Sequence, residues 1–271
     1  MYLGIDIGGT KTLLGVFSDR GTLKQKIRFE TPKDYENFLA VLQRNLRLLT
    51  TDDFKVACVA APGKINRISG VVTAFGNLPW KNAPLQANIE KIVHAPAIVE
   101  NDANLAGLYE SKNIVKSYKK ILYVTISTGI GTGVITDGII DPELADSEGG
   151  HLLLEYGGKL RTWESFASGK AIQRRFGKQA RDIYDHDTWQ RIARDISRGM
   201  IDLIAMIQPD IIIIGGGVGT HFERFDDLLR AELKKFETPL TPVPPLRRAK
   251  RPEEAALYGC YELIRGVYKQ R

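Results

Sequence analysis

The sequence lacks the features that mark several common classes of protein. Its 271 residues include only two cysteines, Cys58 and Cys260, which excludes a disulfide framework and a four-thiolate metal site. Its apolar runs are too short to span a bilayer, and Asp6 interrupts the first of them, so neither a membrane span nor a signal peptide is expected. These absences predict a cytoplasmic protein with no membrane partner.

A strong excess of one charge is also missing. The chain has 38 basic and 32 acidic residues, a net charge of +6, and no long arm of a single sign. This balance favours anionic ligands only weakly and does not indicate a nucleic-acid partner. Hydrophobic residues make up 43% and charged residues 26%, which is typical of a globular protein with a sizeable core.

Strands alternate with helices along the chain, which predicts an α/β fold. The apolar patterns predict strands at 2–17 (a hairpin), 23–30, 55–61, 97–99, 121–136 (a second hairpin) and 211–214. They predict helices at 34–49, from 102 onward, and at 162–174, 187–207, 221–236 and 253–268. Residues 63–85 are predicted to be irregular, because glycines and prolines interrupt them. The two hairpins have similar sequences, which suggests two related α/β domains.

Three glycine-rich turns follow predicted strands, at 8–10, 127–133 and 215–219. Backbone N–H groups in such turns can bind phosphate, although a single turn of this kind is often purely structural. A Walker A motif does not fit, because Thr10 stands where its lysine is required. A Rossmann motif does not fit either, because Thr220 replaces its third glycine.

Six short motifs, in order, resemble those of one known family. The run from Asp6 to Lys11, DIGGTK, resembles the first phosphate motif of the sugar-kinase/heat-shock-protein/actin superfamily, and specifically that of the ROK family of repressors and kinases. The further matching stretches are 77–85, 100–103, 127–133, 148–151 and 214–217, with Glu164 and 167–169 between the last two. The resemblance therefore covers nearly the whole chain.

The resemblance implies two actin-like (ribonuclease H-like) ATPase lobes with a cleft between them. We expect a small lobe over residues 1–103, with the helix at about 255–271 packing back on it, and a large lobe over 104–254. A homodimer is also implied. The repressor branch carries an N-terminal helix-turn-helix, and none is expected here because the first strand begins at Tyr2.

The implied reaction is ATP- and Mg²⁺-dependent phosphorylation of a hexose hydroxyl, O6 of glucose or of a related hexose. Asp102 is the candidate general base, because a sugar hydroxyl is a poor nucleophile and a carboxylate can accept its proton. A position at a helix N-terminus favours the ionised carboxylate, although Asp102 could also be only a helix cap. Asp6 is the candidate Mg²⁺ ligand.

The other candidate site residues match family positions that hold the sugar or the nucleotide. The sugar-binding candidates are Gly63, Asn77, Asn101, Glu148, His151 and Glu164. The nucleotide-binding candidates are Asp6, Gly8, Gly9, Thr10, Lys11, Thr128, Gly129, Gly216 and Gly217. Short polar side chains suit a hexose, because a site that pairs each hydroxyl rejects analogues that lack one.

One departure from the family concerns zinc. Many members bind zinc with the histidine of their Glu-x-Gly-His motif and three closely spaced cysteines. Here His151 is followed by LLLEYGGKLRTWE, which contains no cysteine. We therefore expect no zinc site and expect the loop to be held by packing, with Trp163 and Phe166 as anchors.

Two alternatives to an ATP-dependent hexokinase remain open. The basic clusters at 174–175 and 247–251 are simply solvated faces or a track for a long anion, which would suit a polyphosphate-dependent glucokinase or glucomannokinase. The other alternative is a non-catalytic, sugar-binding regulatory protein of the same fold. The identity of the hexose is not determined by residue type, because glucose, mannose, fructose and the N-acetylhexosamines differ at C2 or in ring form.

Overall fold

A computed structural model describes residues 1–268, which divide into two compact units. Unit 1 consists of residues 1–109 together with the chain from Glu254 onward, and unit 2 consists of residues 110–253. Each unit is built around a five-stranded sheet. Within the described residues, no helix combines the length and the apolar character needed to cross a membrane.

Unit 1 begins with a hairpin and continues with alternating strands and helices. Its elements are β1 (Tyr2–Ile7), β2 (Lys11–Phe17), β3 (Leu23–Glu30), α1 (Tyr35–Leu46), β4 (Val56–Ala61), β5 (Gly63–Asn66), β6 (Val71–Phe75), β7 (Lys81–Ala83), α2 (Leu85–Val93), β8 (Ala97–Asn101) and α3 (Asp102–Ser111). The main sheet has the order β3-β2-β1-β4-β8, and β5, β6 and β7 form a second, smaller sheet.

Unit 2 follows with its own sheet and a longer set of helices. Its elements are β9 (Lys120–Ile126), β10 (Ile130–Thr136), β11 (Ile139–Ile140), β12 (Leu153–Glu155), β13 (Leu160–Thr162), α4 (Glu164–Ala167), α5 (Gly169–Phe176), α6 (His186–Ile207), β14 (Ile211–Gly215), α7 (Gly216–Gly219), α8 (Asp226–Lys234) and β15 (Leu246–Arg248). The last helix, α9 (Ala255–Tyr268), belongs to unit 1, where it packs on β1 and β4.

The two main sheets share one topology. In unit 1, β3, β2 and β1 are antiparallel, and β4 and β8 then run parallel to β1. In unit 2, β11, β10 and β9 are antiparallel, and β14 and β15 then run parallel to β9. The predicted repeat of the opening hairpin therefore extends to five strands in each unit, and the predicted α/β class is confirmed.

Three sequence-based expectations about elements are wrong. Residues 63–85 are ordered rather than irregular, because Gly63 and Gly70 lie at the start of β5 and in the β5–β6 turn instead of interrupting strands. The predicted helix at 162–174 is two helices, since Ser168 is extended and accepts the Ala171 N–H as the cap of α5. The strand β15 and the helix α2 were not expected.

Candidate functional site

The β1–β2 turn packs directly on Asn77. The N–H of Gly8 donates to the carbonyl of Lys11 at 2.9 Å and closes the turn. A Cβ atom on Gly9 would lie 2.6 Å from the Cβ of Asn77, so glycine is required there by close approach. The structure thus brings a predicted nucleotide-binding turn beside a predicted sugar-binding residue.

The segment after β3 supports the same turn. The N–H of Thr31 donates to the carbonyl of Thr10 at 3.0 Å, and Nζ of Lys33 donates to the carbonyl of Gly9 at 2.7 Å. The buried indole of Trp80 donates in turn to the carbonyl of Lys33 at 2.9 Å. Lys33 therefore adds a cation beside the turn, which sequence reasoning missed because no local motif marks it.

Asp6, at the end of β1, and Asp102, at the start of α3, interact electrostatically. The pKa of Asp6 is raised to about 7, chiefly by burial and then by the negative charge of Asp102, while the Lys11 ammonium acts in the opposite direction. A buried carboxyl group whose pKa is raised beside a second carboxylate is an environment that a cation would stabilise. Mg²⁺ is commonly held by one or two carboxylates together with substrate phosphates, so Asp6 fits that ion.

The N-terminus of α3 is capped by Asn101. Its Oδ1 accepts the N–H groups of Ala103 and Asn104 at 2.9 and 3.2 Å, while Oδ1 of Asp102 accepts the adjacent Ala103 N–H at 2.9 Å. The helix therefore has a capping side chain other than Asp102. Its N-terminal dipole favours a negative charge at the half-buried Asp102 carboxylate.

Glu100 anchors this segment from beneath. The side chain is 7% exposed, and its two oxygens accept from Nε and a terminal nitrogen of Arg67 at 2.8 and 2.6 Å. Oε1 also accepts the N–H of Asn101 at 2.7 Å and Nδ2 of Asn104 at 3.0 Å. This network was missed by sequence reasoning, since Arg67 lies 33 residues from Glu100 and carries no motif of its own.

Gly63 lies at the same end of the small sheet as Asn77. It pairs with Phe75 across the β5–β6 ladder, and a Cβ on Gly63 would lie 2.1 Å from the carbonyl oxygen of Ala74. The N–H of Gly76 donates to the carbonyl of Pro62 at 3.1 Å. Only glycine fits at position 63, and the backbone there stays close to the segment that leads to Asn77.

In unit 2, the turn that carries Thr128 and Gly129 contacts two other glycine segments. Ser127 closes the turn by donating its N–H to the Gly129 carbonyl at 2.9 Å, and it accepts the N–H of Gly169 at 2.7 Å. A Cβ on Gly216 would lie 2.4 Å from the Ile126 carbonyl oxygen. These contacts bring the main chain of three glycine-containing segments together at the end of β9.

The predicted nucleotide glycines in β14–α7 differ from each other. Gly216 has a left-handed backbone (φ +79°), whereas a Cβ on Gly217 would meet no atom within 4 Å outside its chain neighbours and the backbone of its own helix. Gly216 is therefore needed for the turn itself. Gly217 leaves open space beside the turn, which is where a bound group would fit.

In unit 2, the predicted sugar-binding residue Glu164 and Gly150, in the segment from Glu148 to His151, both contact Ile130, the first residue of β10. Oε2 of Glu164 accepts the Ile130 N–H at 3.2 Å, and a Cβ on Gly150 would lie 2.1 Å from the Ile130 carbonyl oxygen. Gly150 belongs to the short 3-10 turn between Glu148 and His151. The Glu148–His151 segment and Glu164 thus lie around one end of β10.

The family model described as "ROK family" matches residues 2–267. The chain belongs to the ROK family. It is 25% identical to a glucokinase of Streptomyces coelicolor, over 98% of both chains. It is also 27% identical to an N-acetylmannosamine kinase of Vibrio cholerae, over 89% of this chain and 93% of the relative. This ROK protein is a carbohydrate kinase that phosphorylates sugars.

Solved structures agree with the fold. A ROK family glucokinase from Streptomyces griseus, in complex with glucose and AMPPNP, matches 98% of this ROK kinase and 99% of its own chain with a TM-score of 0.86 and 24% identity. An inorganic polyphosphate/ATP-glucomannokinase from Arthrobacter matches 98% of both chains with a TM-score of 0.78 and 25% identity. The predicted pair of actin-like lobes is confirmed.

Proposed function

We propose that this ROK kinase transfers the γ-phosphoryl group of ATP to O6 of glucose or of a closely related hexose, with Asp102 as general base. The observation that carries the proposal is the interaction between Asp102 and Asp6. The charge of the candidate base acts on the candidate metal ligand, which lies at the end of β1 beside the β1–β2 turn. The capping of α3 by Asn101 supports a role for Asp102 beyond helix capping.

In the proposed reaction, Asp102 accepts the proton of the sugar hydroxyl while the hydroxyl oxygen bonds to the γ-phosphorus. The bond from that phosphorus to the β–γ bridging oxygen breaks, and ADP leaves with the electron pair. The remaining sugar hydroxyls would pair with the polar groups of the set proposed above, namely Gly63 (backbone), Asn77, Asn101, Glu148, His151 and Glu164. Phosphoryl transfer of this type depends mainly on positioning and on charge stabilisation.

The phosphates would be held by main-chain and side-chain donors. The proposed groups are Gly8, Gly9, Thr10 and Lys11 of unit 1 and Thr128 and Gly129 of unit 2, with Gly216 and Gly217 beside the adenosine. Asp6 would hold Mg²⁺, which supplies charge neutralisation of the phosphates when bound. The raised pKa of Asp6 supports this role, because a cation would remove the cost of its ionisation.

Polyphosphate is a second candidate donor. Arg247 and Arg248 are both exposed on β15, and Arg248 pairs with Ile214, directly before the glycine turn. Arg248 also forms an exposed ion pair with Glu223 at 3.4 Å. The likeness to a polyphosphate/ATP-glucomannokinase supports testing this donor.

The test is a panel of hexoses and N-acetylhexosamines assayed with Mg²⁺ and either ATP or polyphosphate. We expect turnover with ATP, and we expect Asp102→Ala to lower kcat by about 10²–10⁴-fold. Asp34→Asn is the matched control, because Asp34 caps α1 by accepting the Asn37 N–H at 2.8 Å and has no proposed catalytic role.

Two outcomes would contradict the proposal. Undiminished kcat in Asp102→Ala would exclude Asp102 as the base. Thermal stabilisation by a sugar without product from either donor would instead support a non-catalytic, sugar-binding regulator. A homodimer, also proposed, is tested by measuring the mass of the protein in solution.

A further inference from the structure

Apart from Leu152 and Leu154, which pack on the core of unit 2, the hairpin between His151 and Glu164 has little apolar packing of its own. It consists of β12 and β13, and the side chains of Leu153 and Leu160 are 65% and 72% exposed. An isolated two-stranded hairpin is marginally stable in water. Contacts made elsewhere must therefore hold the segment that joins two of the proposed sugar-binding residues.

Tyr156, directly after β12, makes those contacts. Its ring stacks on Phe166, with centroids 4.2 Å apart and an interplanar angle of 13°. The guanidinium carbons of Arg175 and Arg198 each lie 5.4 Å from the Tyr156 ring centroid, within the range of a cation–π interaction. Together with Asp195, these residues are called the Tyr156 clamp.

Hydrogen bonds fix the two arginines of the clamp. Arg175 donates to the carbonyl of Phe166 at 2.8 Å and forms an ion pair with Asp195, which is 5% exposed. Arg198 donates to the carbonyl of Glu155 at 3.0 Å. Because Asp195 and Arg198 both lie on α6, the clamp ties the hairpin to the longest described helix.

Of the two predicted anchors, Phe166 belongs to the clamp and Trp163 lies next to it. Trp163 and Phe166 are 0% and 1% exposed, and Nε1 of Trp163 donates to the carbonyl of Asp195 at 3.2 Å. The N–H of Trp163 also donates to the carbonyl of Leu152 at 2.8 Å. A Cβ on Gly199 would lie 2.2 Å from the indole, so α6 approaches Trp163 as closely as its backbone allows.

Zinc does not fit this hairpin. Residues 152–163 contain no cysteine, and both cysteines of the chain lie buried in unit 1. Among residues 1–268, no group of three His, Cys, Asp or Glu side chains could hold a metal ion. The two guanidinium groups of the clamp lie over the Tyr156 ring and would repel a further divalent ion.

We propose that the Tyr156 clamp holds the segment from Glu148 to Glu164 without a metal and thereby sets the affinity for the sugar. Tyr156 and the two arginines are positioning residues, since they act through the segment and not on the substrate. This role rests on the proposed function in one respect, namely that the segment binds sugar. The holding itself does not depend on that function.

The kinetic test compares two variants of Tyr156. Tyr156→Leu is expected to raise the KM for the hexose about tenfold, with kcat within about threefold and an unchanged KM for the phosphoryl donor, because only the sugar segment is displaced. Tyr156→Phe keeps the stacked ring and loses only the contact of the hydroxyl with Asp195, so it is expected to raise the KM much less than Tyr156→Leu does. The matched control is Tyr184→Leu. Tyr184 is exposed, and it also has a guanidinium over its ring, since the guanidinium carbon of Arg224 lies 4.5 Å from the ring centroid.

A second measurement does not need activity. Hydrogen exchange of the hairpin amides, including the Tyr156 N–H that donates to Lys159 at 2.8 Å, is expected to accelerate about tenfold or more in Tyr156→Leu and not in Tyr156→Phe. Dialysis of the original protein against EDTA is expected to leave this exchange unchanged. Unchanged exchange in Tyr156→Leu, or loss of protection after EDTA, would overturn the proposal, even if no sugar is turned over.

Discussion

Residues 100–104 include the proposed sugar-binding residue Asn101, and the hairpin at 152–163 joins two others, His151 and Glu164. Different forces hold these two segments. In unit 1, residues 100–104 are fixed by charge-assisted hydrogen bonds between buried Glu100 and Arg67, with Asn101 and Asn104 on the same carboxylate. In unit 2, the hairpin at 152–163 is fixed by the stacking of Tyr156 on Phe166 and by cations over the ring.

The two arrangements should respond differently to substitution. A buried carboxylate with every oxygen in use tolerates no change of charge or geometry, because any lost partner leaves a desolvated polar group behind. An aromatic stack depends on ring area, so it tolerates a change that keeps the ring. Conservative substitutions should therefore fail in the first segment and succeed in the second.

The largest effect is expected for Glu100→Gln. The substitution removes the charge that pairs with Arg67 and turns one acceptor oxygen into an NH₂ group, so we expect a loss of about 3 kcal/mol in the free energy of unfolding. Urea unfolding measures this loss, and Tyr156→Phe, measured alongside, should lose less than about 1 kcal/mol.

A double-mutant cycle with Arg67→Met provides the control for Glu100. If the two side chains form one unit, the double variant should lose at least about 1 kcal/mol less than the sum of the single variants. An additive result, or a Glu100→Gln protein as stable as the original, would show that this segment does not depend on the ion pair.

The next effect concerns Asp6 and pH. Its native pKa of about 7 exceeds the ordinary value of 3.8, so between these values the native state keeps a proton that the unfolded state has lost. Stability of the original protein should fall as pH rises through this window. Asp6→Asn should escape the fall and become progressively more stable than the original as the pH rises from 4 to 8.

Thermal unfolding at pH 4, 6 and 8, without Mg²⁺ or nucleotide, measures this difference. Asp137→Asn is a suitable control, because Asp137 lies in the β10–β11 turn of unit 2. A difference between Asp6→Asn and the original that does not grow with pH would mean that Asp6 is ionised in the native protein throughout the range.

Local patterns in the sequence predict much of this fold. The hairpins at 2–17 and 121–136 were predictable because alternating apolar residues flank glycine turns within a single short stretch. The Asp34 cap and the apolar period predict α1, apart from its end at Leu46. Residues 63–85 were not predictable, because their short strands exist only through pairing with one another.

The candidate site also contains some residues that local sequence predicts and others that it does not. Motifs identify candidate site residues that lie next to each other in the sequence, such as Asn101 and Asp102 or Thr128 and Gly129. They do not identify Arg67, which reaches Glu100 across 33 residues, because an arginine in a turn has no distinguishing pattern. The Tyr156 clamp is equally hidden, since its members come from three separate helices and a hairpin.

A smaller effect is expected for Arg198→Met. The substitution removes one cation from the Tyr156 ring and one donor from the Glu155 carbonyl but leaves Arg175 and Asp195 in place. A single cation–π contact at a partly exposed site is worth about 1 kcal/mol or less. Urea unfolding should show a loss of this size, and a loss as large as that of Glu100→Gln would mean that charge dominates in both segments.

The smallest effect is expected for Asp19→Asn. This substitution removes the charge of an exposed carboxylate, so it shows what the loss of charge costs without burial. Asp19 pairs with Lys55 at 3.0 Å, and the hydrogen bond from Lys55 lowers the pKa of this carboxyl, yet both side chains are exposed. Water and salt screen such a pair, so the urea midpoint at pH 7 should not move measurably. If Asp19→Asn destabilised the protein as strongly as Glu100→Gln, the sensitivity of residues 100–104 could not be attributed to burial of their carboxylate, and the contrast between the two segments would fail.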